Sequence, residues 1–68
     1  MEMIPVDSSQ IAAIGHEGST LTVQFKNGAV WHYAGISAEV FKLLEGADSV
    51  GKFFNSAIKP HHKATRIK

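Results

Sequence analysis

The chain has 68 residues, 44% of them hydrophobic, and no cysteine. This is enough for one domain, read here as residues 1–68, and it excludes a disordered chain, a disulfide framework and any thiolate metal site. The net charge is +1, but all six acids lie in residues 1–48, where two lysines leave −4, while the last twenty residues carry five cations and no acid, giving +5.

In chain order, residues 1–8 read as a lead-in. Gln10 to Ile14 is a short apolar run that predicts a first strand. Gly15-His16-Glu17-Gly18-Ser19 has turn chemistry, with glycines free to take positive φ. Thr20 to Lys26 alternates strictly, Leu21, Val23 and Phe25 on one face and Thr22, Gln24 and Lys26 on the other, as a half-buried strand does. Asn27-Gly28 is a strong hairpin signal, and Ala29 to Ala34 returns as a third strand rich in β formers. Ser37 then predicts a helix cap, with Glu39 in the first turn and Gly46 as the stop. Asp48 or Ser49 caps a second helix, whose Val50, Phe53, Phe54, Ala57 and Ile58 form one apolar stripe ended by Pro60. His61 to Lys68 alternates weakly and reads as a fourth, edge strand or a frayed end.

Strands followed by helices predict an α+β fold. It is a three-stranded antiparallel meander, with the tail as a possible fourth edge strand and two short helices packed on one face. Helices of about three turns are too short to stand alone in water and must dock on the sheet.

Three stretches carry a family resemblance. They are Ser8-Ser9-x-Ile11, then Leu21-x-Val23-x-Phe25-x-x-Gly28-x-x-Trp31-x-Tyr33, and finally Ala47-x-Ser49-x-Gly51-x-Phe53-Phe54-Asn55-x-x-Ile58. Together they resemble the KTSC domain family, named after the C-terminus of some lysyl-tRNA synthetases, over roughly Ser8 to Ile58. The family's central Tyr-x-Tyr is Trp31-His32-Tyr33 here, so the first aromatic lacks a phenol. The resemblance implies a small stand-alone module with a suggested role in RNA binding. It does not imply aminoacylation, since 68 residues leave no room for a synthetase catalytic domain.

One register decides where the aromatic pair points. A two-residue turn at Asn27-Gly28 sets Gln24 opposite Trp31 and puts Trp31 and Tyr33 among polar groups, as a stacking platform. A three-residue loop, Lys26-Asn27-Gly28 with Gly28 left-handed, sets Val23 opposite Trp31. Trp31 and Tyr33 then join Leu21, Val23 and Phe25 in the core, and Thr22, Gln24, Val30 and His32 stay outside. A slip of one residue exchanges the faces. The second register buries the large apolar groups together and is favoured, with only the Tyr33 hydroxyl seeking a partner near the surface.

Other constellations point to no chemistry. The four histidines, His16, His32, His61 and His62, have no ligand spacing, so no metal or other cofactor is expected. Asp7, Ser8 and Ser9 sit in no nucleophile elbow, so the chain is read as non-enzymatic and the serines as capping a turn. Gly15-x-x-Gly18 is too short for a phosphate loop. What remains is the basic end. Lys52, Lys59, His61, His62, Lys63, Arg66 and Lys68, with Tyr33, are the candidate nucleic-acid contacts. The alternative is a protein–protein accessory factor, bacterial or phage, that docks on a larger enzyme, with the open sheet edge at the tail as its handle. The oligomeric state stays open. Met1-Glu2-Met3-Ile4-Pro5 lacks the pattern of a secretion signal, and no apolar run nears the roughly 20 residues of a membrane span, so a cytoplasmic protein is expected.

Overall fold

In a computed structural model, which describes residues 3–68, the strands are β1 (Ile4–Pro5), β2 (Ile11–Glu17), β3 (Thr20–Phe25), β4 (Val30–Tyr33) and β5 (Ala64–Arg66). The helices are α1 (Ala38–Glu45) and α2 (Val50–Phe53), and a π-helical turn over Phe54–Ile58 continues α2. The strands form one antiparallel sheet in the order β1-β2-β3-β4-β5. The α+β class and the meander are as expected, but the sheet has five strands rather than three or four. The tail supplies the expected edge strand, β5. The lead-in supplies a further one: Ile4 and Pro5 pair with Ile14 and Ala13. Met1 and Glu2 of that lead-in lie outside the described residues.

The β3–β4 connection takes the three-residue form. Val23 pairs with Trp31 and Leu21 with Tyr33. Phe25 N–H donates to Ala29 C=O at 2.9 Å, and Gly28 closes the loop at φ 94°, a conformation that glycine adopts without a Cβ penalty. The turn between β2 and β3 is tighter than the sequence suggests. Gly15, His16 and Glu17 continue the strand, and only Gly18 and Ser19 turn, Gly18 at φ 62°. His16 therefore sits opposite Leu21, on the core side of the sheet.

Ile11, Ile14, Leu21, Val23 and Tyr33 from the sheet meet Ile36, Leu44, Val50, Phe54 and Ile58 in one buried cluster, so both helices cover the same face. Local chemistry fixes each helix start. Ser37 Oγ accepts from Val40 N–H at 3.2 Å and Ser49 Oγ from Lys52 N–H at 3.4 Å, so Ser49 rather than Asp48 caps α2. Ser8 does the same before β2, its Oγ accepting from Gln10 N–H and Ile11 N–H, each at 3.3 Å. A Cβ on Gly51 would come to 3.1 Å from that oxygen, so the absence of a side chain at 51 lets α2 lie against the Ser8 turn.

Two expectations fail on packing. The second helix is not α-helical throughout: Lys59 N–H bonds Phe54 C=O at 2.9 Å, five residues back, which is the wider π spacing. On the open face of the sheet, Thr22 is not exposed but only 6% accessible, and its hydroxyl has no partner. β3 is the central strand, so Thr22 has Gly15 on one side and His32 on the other and is hidden by strand neighbours rather than by a second layer. Val30 and His32 beside it are half-buried.

Candidate functional site

The helix-covered face is not sealed along its whole length. Between the π turn and the ends of β3, β4 and β5 lies an open groove of about 480 Å³. This is within the roughly 300–1,000 Å³ range of small-molecule sites. The loop register creates it. By putting Phe25, Trp31 and Tyr33 on the helix side, the register lines one wall with aromatic rings. Phe54 meets that wall edge-on, its ring 5.0 Å from Tyr33 and 5.9 Å from Phe25.

The four rings are not equivalent. Tyr33 is 4% and Phe54 1% exposed, so they form the floor. Phe25 and Trp31 are half-buried and pack on the core with part of their surface while lining the groove with the rest. The sequence reading of the pair as core is thus correct for Tyr33 and half-correct for Trp31. Burial raises the Tyr33 phenol above its ordinary pKa of 10.0, so the ring is a neutral hydrogen-bonding group at neutral pH.

Polar groups edge the aromatic wall. Asn55 on the π turn and Lys59, which caps its C-terminal end, form one rim, and Gln10 and Asn27 lie at the loop end. Asn27 is committed to its own turn, its side-chain oxygen accepting from Ala29 N–H at 3.0 Å. Among the described residues no carboxylate lines the groove.

The basic residues are divided by the fold. Lys59 lines the groove. Arg66 pairs with Trp31, so it projects from the same face of the sheet, beside the indole, and its Nε donates to Lys68 C=O at 3.4 Å. His61, Lys63 and Lys68 are exposed on the segments flanking β5. His62 is used internally: its Nδ1–H donates to Ala34 C=O at 3.0 Å and ties the tail to the turn after β4. Lys52 stands apart, in a shallow depression that it shares with Asp7 and Asp48. Among the described residues no three His, Cys, Asp or Glu side chains converge as metal ligands.

Sequence reasoning missed Gln10, Asn55 and Phe54 as parts of a site. Asn55 carried a usable signal, as a polar residue fixed beside two aromatics in the Phe53-Phe54-Asn55 run. Gln10 carried none, because its place depends on the bulge at Ala12 where β2 meets β3.

The sequence pattern of the KTSC domain matches residues 7–62. The chain belongs to the KTSC domain family. A crystal structure of a KTSC domain protein from Yersinia pestis superposes with a TM-score of 0.89 at 30% identity, covering 98% of this chain and 97% of that one. An uncharacterized protein of Stutzerimonas stutzeri is 36% identical over 64 residues, 91% of this chain and 90% of its own length. A protein of Tsukamurella paurometabola is 37% identical over 67 residues, 96% of this chain and all of its own. The KTSC pattern thus takes in the aromatic hairpin and the π turn, which supply most of the groove's lining, while Ala64 of β5 lies beyond it.

Proposed function

We propose that this KTSC domain is a non-catalytic module that binds RNA or another nucleic acid through its basic C-terminal surface. The observation that carries this reading is the separation of charge. The last twenty residues hold five cations and no acid, and β5 with its flanks sets Lys63, Arg66 and Lys68 along the sheet edge next to a groove lined, among the described residues, by no carboxylate. Phosphate contacts of this kind release counterions, so affinity falls steeply as salt rises. Lys59, Lys63, Arg66 and Lys68, with His61, make the contacts. His62 holds the tail in place.

Titration of labelled single-stranded and structured RNA at low and moderate salt tests the proposal. Each lost phosphate contact should reduce the slope of log affinity against log salt by about one. No binding to either RNA at low salt overturns it. A second reading is favoured by one feature, the exposed edge of β5, all of whose residues are solvent-accessible. An accessory module would add a partner's strand there. Complex formation with a protein that survives nuclease treatment and is lost in Ala64→Pro, at a position whose N–H faces away from β4, supports that reading.

A further inference from the structure

The groove differs from the basic surface in kind. Phosphate is recognised by cations, but this groove has one lysine at its rim and rings at its centre. Its volume of about 480 Å³ suits a single nucleoside-sized group and is too small for a helix or a duplex. Trp31 presents a half-buried π surface, and rings of this kind stack on bases at about 1–3 kcal/mol each. The two carboxamides free of turn duty, Gln10 and Asn55, each offer a donor and an acceptor, which is what the edge of an unpaired base requires. Lys59 on the rim and Arg66 beside Trp31 lie on the same side, where a backbone phosphate leaving the groove would pass.

We propose that this groove is a base-binding subsite that takes one unpaired nucleobase, stacked on Trp31 and held at its edge by Asn55 and Gln10. The inference rests on the nucleic-acid reading above and adds what that reading lacks, a contact with a base rather than with phosphate. The lack of any carboxylate among the described lining residues favours this occupant over a cationic peptide. The amides favour it over a purely apolar side chain.

Trp31 is the only tryptophan, so its fluorescence reports the groove directly. The full chain is titrated with a short single-stranded RNA and with an abasic strand of equal phosphate count. The base-containing strand should quench Trp31 and bind about tenfold more tightly than the abasic one. Asn55→Leu, a change at an exposed position, should reduce that advantage and leave abasic binding unchanged, whereas Lys59→Ala should weaken both strands alike. Equal binding of both strands without quenching overturns the base subsite and leaves the phosphate-binding proposal standing. If neither strand binds at low salt, both fall. A preference for the base-containing strand that persists undiminished in Asn55→Leu overturns the role given to the groove's amide rim.

Discussion

The helix-facing side of the sheet has two ends built from similar residues and finished differently. At the Gly18-Ser19 end the chain closes on itself. Ile36 N–H donates to Ser19 C=O at 2.8 Å, and His16 Nε2–H donates to Ile36 C=O at 2.6 Å. The His16 ring stacks on Phe41 of α1 with centroids 5.1 Å apart. Polar groups there are spent on the protein's own backbone. At the Lys26–Gly28 end the rings of Phe25 and Trp31 have no such lid, and the amides and lysine around them face the groove. The lesson is that the fold needs only one end for closure. Apolar area left at the other is available for a partner, in a protein whose small core makes every buried ring count.

The sharpest way to break this contrast is Phe54→Ala. Phe54 floors the open end but is 1% exposed and touches both Phe25 and Tyr33. If it is core, its loss should cost about 3–5 kcal/mol, comparable to the whole stability of a domain this size. Far-UV circular dichroism should then show an unfolded chain. A folded variant with an unchanged urea midpoint would mean that the groove floor contributes nothing to the fold.

A smaller effect is expected at the closed end. Phe41→Ala removes the ring stacked on His16. Because Phe41 is only half-buried, the expected cost is about 2 kcal/mol, read as a lower urea midpoint. The folded fraction should bind RNA as before, since Phe41 does not line the groove. Impaired RNA binding in the folded protein would show that the two ends are coupled.

The smallest effect concerns Tyr33, the only tyrosine, whose ionisation can be followed by phenolate absorbance. Burial raises its folded pKa above 10.0. Below that value both states hold the neutral phenol. As pH rises past it the unfolded chain ionises first, so this contribution to stability is present below 10.0 and is lost as pH climbs through the raised folded value. A titration midpoint at or below 10.0 would place the hydroxyl in free water and contradict its position at the groove floor.

Most of the fold was legible because its signals are local. Alternation in Thr20–Lys26, the Asn27-Gly28 loop, the Ser37 and Ser49 caps and the stripe from Val50 to Ile58 each act over a few residues, and each is found in place. The register of the hairpin was also accessible, since only one choice buries the large apolar groups together. The misreadings share a cause. β1 is two residues long and exists only because Ile14 and Ala13 offer it a partner. Gly15 and His16 carry turn-like chemistry but extend β2 because Thr22 and Leu21 lie opposite. Thr22 is buried by neighbours far from it in sequence.

By itself the sequence determined the class of fold, the faces of the strands, the helix starts and the segregation of charge, all of which follow from side-chain period and cap chemistry. Only the tertiary structure decided which cations share a surface. It used His62 as a tether, left Lys52 in a separate depression with Asp7 and Asp48, and brought Lys59 and Arg66 to the rings of Phe25 and Trp31. The reason is physical. A groove is made where two elements fail to close, and that failure depends on how Phe54–Ile58 and β5 meet the sheet, contacts that no local pattern encodes.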